Sequence, residues 1–250
     1  MDEPPAVRAV ALDLFHTIVD PEDFRPKEFI RAREVAKLLE IPPAPFEEYW
    51  AEQTRERMIR MIPTVTDRVR QYCDDHGYSP LDGDRTWSEV SDILGRYTDL
   101  AIRNPRKSIV DALRRLKQRG LVLGLVSNCD EREFRAWPGS PLAELFDATV
   151  FSCEVGVAKP DVEAFRALIP RWGGIPPNEA IFVGDGSNDE LAGARRAGFS
   201  HVVFDHEFVA HNGLRSPEAN DRLRRDAEAT VEELGQVESF LDSKGLLPRR

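Results

Sequence analysis

The stretch Ala180-Ile-Phe-Val-Gly-Asp-Gly-Ser-Asn-Asp-Glu-Leu-Ala-Gly-Ala-Arg-Arg-Ala-Gly198 changes character twice. Its apolar opening, Ala180–Gly184, has no polar alternation and reads as a strand buried on both faces. A glycine- and acid-rich turn follows, and then Glu190–Ala197 reads as a helix. Apolar runs of the same kind recur at Val7–Leu14, Leu121–Ser127 and His201–Phe204, with a weaker one around Val150–Phe151. Helical patterns at Lys107–Arg119 and Val162–Ile169 lie between them. Strands alternating with helices predict an α/β fold with a parallel sheet and right-handed crossovers.

One region breaks the alternation. From Pro21 to Asn104 there is no convincing strand. Phe29, Ile30, Val35, Leu38 and Leu39 make an apolar stripe at helical spacing, which Pro42, Pro43 and Pro45 stop. Further helices are expected over Phe46–Met61, Thr64–His76 and Thr86–Ile102, separated by Pro63 and the turn residues of Ser79–Asp84. Residues 21–104 therefore read as a small helical domain inserted into a core made of 1–20 and 105–245, with 246–250 as a loose tail.

The composition agrees with a folded enzyme-sized chain. A length of 250 residues suits one large domain or a core with a companion, and 41% apolar with 31% charged residues excludes disorder as the dominant state. A net charge of −10 gives no support to a duplex-binding surface, so no nucleic-acid partner is expected. The apolar run Leu121–Val126 is far short of the roughly 20 residues that cross a bilayer. The opening Met-Asp-Glu-Pro-Pro has neither a basic nor an apolar leader region, which places the expected location in the cytoplasm. Cys73, Cys129 and Cys153 are too few and too scattered for a disulfide framework or a zinc site.

Ligands of open parallel sheets gather outside the carboxyl ends of the strands. Asp13 follows the first strand, Ser127 and Asn128 close the second, and Lys159 lies in Gly156-Val-Ala-Lys-Pro160. Asp185, Asp189 and Glu190 follow Ala180–Gly184. Carboxylates gathered on one rim repel unless a cation joins them, and hard Mg²⁺ prefers oxygen ligands. An ionised Asp13 is a nucleophile for phosphorus or carbon. Mg²⁺ on Asp13 and Asp185 would screen its repulsion from a phosphate, with Lys159 and Ser127 holding the transferring group. Singly, each residue reads more simply: an acid at a strand end as a cap or turn former, Ser127-Asn128 as a turn, Lys159 as a surface lysine. Their order, each at a strand exit, favours the joint reading.

These residues resemble the four motifs of the haloacid dehalogenase superfamily of hydrolases. Asp13-Leu-Phe-His-Thr17 resembles its first motif, Asp-x-Asp-Gly-Thr after an apolar strand. Ser127 with Asn128 resembles the second, and Lys159 in Val157-Ala-Lys-Pro-Asp161 the third. Gly184-Asp-Gly-Ser-Asn-Asp-Glu190, followed by Ala192-Gly-Ala-Arg-Arg-Ala-Gly198, resembles the fourth and is the most specific. The resemblance spans Ala6–Phe199. It implies a Rossmann-like core with a helical cap after the first motif, Asp13 as nucleophile, and catalytic roles for Ser127, Asn128 and Lys159. It further implies metal binding by Asp13, the Phe15 carbonyl and Asp185. Counting from Asp185 selects Asp189 as the further acid, whereas counting back from Gly193 selects Glu190.

Two departures bear on the chemistry. Phe15 stands where phosphatases of the family carry their general acid and base, and His16 replaces the usual glycine. An aromatic residue at that position also resembles the metal-independent 2-haloacid dehalogenases, which lack the acid retained here as Asp185. The retained acids favour Mg²⁺-dependent hydrolysis of a small phosphorylated metabolite through an aspartyl intermediate. A metal-independent dehalogenase and a non-catalytic metabolite-binding protein are the alternatives. His16 reads either as a substitute acid and base or as a residue turned away and fixing the loop; the second is favoured. Arg55, Arg57 and Arg60 read as a solvated face paired with Glu52 and Glu56. His201, His206 and His211 show no metal-ligand pattern. Substrate identity and oligomeric state are not encoded in any readable motif.

Overall fold

The structure, a computed structural model, describes residues 7–79, 83–213 and 215–248. Six parallel strands form one sheet in the order β3-β2-β1-β4-β5-β6. They are β1 (Ala9–Leu12), β2 (Val122–Ser127), β3 (Ala148–Phe151), β4 (Ala180–Gly184), β5 (His201–Asp205) and β6 (Ala229–Val231). This is the Rossmann-like α/β architecture. Alternate residues of the central strand serve opposite faces: Val10 and Leu12 join one apolar core, Ala9 and Ala11 the other. Both faces are covered, so every one of these side chains is withdrawn from water. Helices α6 (Lys107–Gln118) and α12 (Gln236–Ser243) lie over the first face, and α8 (Val162–Arg166) and α9 (Glu190–Ala197) over the second. Short helices α7 (Ser152–Val155), α10 (Glu207–Asn212) and α11 (Pro217–Asp226) complete the connections.

Between β1 and α6 come α1 (Arg31–Leu38), α2 (Pro43–Glu52), α3 (Thr54–Ile59), α4 (Val65–Asp75) and α5 (Gly83–Arg103). The apolar faces of α1, α2, α4 and α5 meet one another, with Val35, Phe46, Val69, Val90 and Leu94 at the centre of a third core. Two details differ from the sequence reading. The helix expected over Phe46–Met61 is two helices broken at Gln53, and Pro43 opens α2 because a proline at the first helical position forfeits no hydrogen bond. Nor is Leu246 part of a loose tail. It is 2% exposed, its N–H donates to the Leu241 carbonyl at 2.9 Å, and its carbonyl accepts from Val7 at 2.9 Å.

The register places the chemistry. Leu12 pairs with Leu125 on one side and Val183 on the other, so the next residues of β1, β2 and β4 leave the sheet at nearly one level. Asp13 thus stands between Ser127 and Asp185 on the carboxyl rim. The β2 exit is also tied to the helical insertion. Arg132 donates to both Asp99 carboxylate oxygens at 2.9 and 2.8 Å and to the Ser91 carbonyl at 2.8 Å, both on α5. Gly95 makes room for it, since a β-carbon there would fall 2.1 Å from the guanidinium. Glu131 caps α4 by accepting from the Val65 N–H at 2.8 Å.

Candidate active site

Asp13 is 6% exposed. Its Oδ1 accepts from Lys159 Nζ and its Oδ2 from Thr17 Oγ1 at 3.2 Å, while its own N–H donates to the Val183 carbonyl at 3.0 Å. The segment after it is a tight loop. Val19 donates to the Leu14 carbonyl and accepts from the His16 N–H, which leaves the Phe15 carbonyl out of that pair of bonds. Asn128 takes no direct part in the charge cluster. Its amide instead brackets the Lys159 backbone, accepting from the N–H and donating to the carbonyl, each at 2.8 Å. Ser127 is fully buried at the end of β2, and its hydroxyl has no hydrogen-bond partner. A buried hydroxyl in that state is costly unless a bound group completes it.

Lys159 also donates to Glu190 at 2.5 Å. Glu190 is fully buried at the start of α9, with its other oxygen accepting from the Gly186 N–H at 2.9 Å. It reaches this position over Gly184, where a β-carbon would lie 2.2 Å from its carboxylate. Asp13, Asp185 and Glu190 each offer an oxygen within 4.8 Å of the others. Asp189 does not join them. Asn188 and Asp189 are both left-handed and exposed, and Asp189 faces outward to Arg222 at 3.5 Å. The acid brought to the cluster is therefore Glu190, because the helix begins there and turns its first side chain inward.

One residue of this site has no signal in the sequence. Arg215, in the loop between α10 and α11, donates to the Asp185 carbonyl, to Asp185 Oδ2 at 2.7 Å and to Ser187 Oγ at 2.7 Å. Ser187 closes the arrangement, donating its N–H and hydroxyl to Asp185 at 3.0 and 2.7 Å. Three carboxylates thus share two cations, Lys159 and Arg215. Burial, reinforced by the neighbouring acids, pushes Asp13 and Glu190 above the usual carboxylate range in spite of Lys159. Burial opposes the charge on Lys159, but Asp13 and Glu190 outweigh it and raise its pKa. The residual negative charge and the all-oxygen donor set fit Mg²⁺, which favours carboxylates and carbonyls. Asp13, Asp185 and Glu190, with the Phe15 carbonyl beside them in the chain, are the groups available to hold it.

A cavity of about 340 Å³ opens over this rim, lined by Asp13, Phe15, His16, Asn128, Lys159, Ser187 and Glu190 from the sheet side. That volume is within the range of small-molecule pockets. His16 is not turned away. It lines the cavity while its Nδ1 holds the buried carboxylate of Asp20 at 3.2 Å, so its ring also fixes the loop. Burial opposes its protonation, but the Asp20 hydrogen bond and nearby acids raise its pKa above the ordinary value.

Of the arginines on and just after α3, Arg60 pairs with Glu56 at 3.1 Å on the surface, as the sequence suggests, and Arg55 with Asp161 at 3.6 Å. Arg57 departs from a solvated face. It is 5% exposed, lies 3.9 Å over the Trp50 ring and approaches Asp130 at 3.8 Å. Burial lowers it to about 10, and burial together with Glu133 pushes Asp130 up to about 7 despite Arg31 and Arg57. His201 and His206 bond to Glu228 and Glu232, apart from the carboxylate cluster. Cys73, Cys129 and Cys153 are buried and free. Among the described residues no helix is long and apolar enough to cross a membrane.

The model of a family described as haloacid dehalogenase-like hydrolase matches residues 7–198. Phosphoserine phosphatase of Thermus thermophilus is 37% identical over 111 residues, which cover 43% of this chain and 42% of that protein. (S)-2-haloacid dehalogenase of Pseudomonas putida is 29% identical over 144 residues, covering 57% and 60%. The chain spans about half the length of the curated relatives it matches. A crystal structure of 2-haloacid dehalogenase from Pseudomonas syringae superposes with a TM-score of 0.62 at 20% identity, covering 95% of this chain and 99% of that one. That likeness is one of fold.

Proposed function

The chain belongs to the haloacid dehalogenase-like hydrolases, and we propose that it hydrolyses a small phosphorylated metabolite through a covalent intermediate on Asp13. The observation that carries this reading is the convergence of Asp13, Asp185 and Glu190 beside a cavity of small-molecule size. In the first step an Asp13 oxygen attacks phosphorus, and the bond from phosphorus to the leaving oxygen breaks. In the second, water adds to phosphorus, the aspartyl–phosphate bond breaks, and phosphate and the free carboxylate are restored. Lys159 offsets the charge of the phosphoryl oxygens, and Asn128 fixes Lys159 through its backbone. The Ser127 hydroxyl, buried and unpartnered, donates to one of those oxygens. Mg²⁺ on Asp13, Asp185, Glu190 and the Phe15 carbonyl would supply the neutralisation that lets a carboxylate approach a phosphate. With Phe15 unable to carry a proton, His16 donates to the leaving oxygen, and helices α1–α5 serve as the cap that excludes water.

The test is phosphate release from a panel of monoesters, with magnesium and with chelator. Turnover that needs magnesium and vanishes in Asp13→Asn is expected. Release that persists in this nearly isosteric variant, after mass spectrometry has excluded deamidation, refutes the nucleophile. A second reading rests on Arg215, whose charge already sits on Asp185. In that reading the site works without metal, Asp13 displaces halide from carbon, and water hydrolyses the ester. Chloride release from a 2-haloacid in chelator, with no phosphate release under any condition, would select it.

A further inference from the structure

The cavity has two unlike walls. The sheet side is polar, whereas the helical side presents Phe29, Met58, Ile93, Leu94 and Tyr97, with Phe29 and Tyr97 edge to face at 4.7 Å. Among the described residues, the arginines and lysine that line it are each committed to acids of this chain. Lys159 lies between Asp13 and Glu190. Arg25 is paired with Glu22 on the loop that precedes α1. Arg31 donates to Glu133 at 2.8 Å, to Asp130 at 3.3 Å and to the Leu94 carbonyl at 3.0 Å, which uses its fork on the β2 exit and α5. His16 is bound to Asp20. Arg55 borders the neighbouring groove rather than this cavity, and it faces Asp161. The acids Glu22 and Glu133 are themselves part of the lining.

We infer that the substrate carries, beside its phosphate, an uncharged and largely apolar group, a short aliphatic or aryl moiety packed against Phe29, α3 and α5, and no carboxylate. The inference rests on the phosphoryl-transfer reading above. A phosphate is met by Lys159 and the charge site at the rim. A second anion on the organic part would lie against Phe29, Ile93 and Tyr97 without a free cation, and near Glu22 and Glu133. Burying a charge in that setting is costly, whereas an apolar group gains by leaving water. Discrimination of about tenfold or more between matched esters is therefore expected, a modest figure for an unpaired buried charge.

The experiment compares phenethyl phosphate with a carboxyalkyl phosphate of similar size, by kcat/KM in the intact protein with magnesium. Inorganic phosphate binding is measured alongside by calorimetry. A preference for the neutral ester, narrowed by Met58→Lys because the new ammonium meets the carboxylate, is the expected result. Met58 is half-buried and outside the packed helical core, so it tolerates the change; Tyr97→Lys, also half-buried, lining the cavity and outside that core, serves if the first variant fails to fold. A carboxylated ester turned over as well as or better than the neutral one overturns the inference alone, and loss of that activity in Arg55→Ala would show which cation had been overlooked. If inorganic phosphate does not bind and a 2-haloacid releases chloride, the phosphoryl-transfer reading falls and this inference with it.

Discussion

Replacing Arg215 by methionine separates the charge bookkeeping of this site from its catalysis. The side chain is 18% exposed and holds a carboxylate that is 1% exposed. Removing one partner of a buried pair costs about 3–5 kcal/mol, and partial water access to Arg215 brings the expected loss below that range, to about 2–3 kcal/mol. For a chain of this length that corresponds to a fall in Tm of roughly 5–10 °C, measured by calorimetry in chelator. The loss should shrink when magnesium is added. With Arg215 gone, three carboxylates face Lys159 alone, and a divalent ion meets less opposing charge. Two positive groups sharing one carboxylate stand about 5 Å apart, where even the dielectric of water leaves a repulsion of about 1.7 kcal/mol for a divalent ion. Magnesium affinity in the variant should then be tighter by about tenfold or more. Tighter binding feeds back on stability through RT ln(1 + [L]/Kd), so saturating magnesium should restore most of the lost Tm. Arg215→Lys, which keeps the charge but loses the fork, should leave magnesium affinity near wild type. An unchanged Tm in chelator, or weaker magnesium binding in Arg215→Met, would show that Arg215 is not the counter-charge of Asp185.

Two further outcomes test the surroundings. Asp130 sits at about 7 in the folded chain against an ordinary 3.8, so between those values the folded state holds a proton that the unfolded state has released, and stability falls as pH rises. Asp130→Asn should lose that slope and gain on wild type in urea melts between pH 5 and 8; parallel profiles refute it. His16→Ala should slow alkyl phosphates by about 10²-fold and activated aryl phosphates far less, with Phe15→Asp flattening the dependence on leaving-group pKa once its folding is confirmed. Equal losses on both ester classes would return His16 to a purely loop-fixing role.

The parts of the fold that were legible are those whose burial is symmetric. Val10, Leu12, Ile181 and Val183 read as strands because both faces of the sheet are dry, and the motif acids read as a rim because each follows such a run. Strand β6 escaped notice because Ala229 and Thr230 are half-exposed and only Val231 is buried, so the edge leaves no continuous apolar run. The choice between Asp189 and Glu190 was beyond counting, since it depends on two successive left-handed residues that no spacing rule reports.

What remained hidden at the site has a common cause. Arg215 reaches Asp185 from a loop 30 residues further along the chain, and Asp130 meets Arg31 from 99 residues away. Motifs record residues that share a strand exit, whereas counter-charges are recruited by proximity in space from any loop that passes. This distinction bears on mechanism. Asp13, Asp185 and Glu190 would be untenable as three neighbouring buried anions, and the chain relieves them with two cations of its own before any metal enters. One of those cations, Lys159, comes from a motif; the other does not. Arg215 places a cation on Asp185, where the proposed reading puts metal, so the two proposed readings part at this residue. A test that chooses between them is therefore made at Arg215 as much as at Phe15.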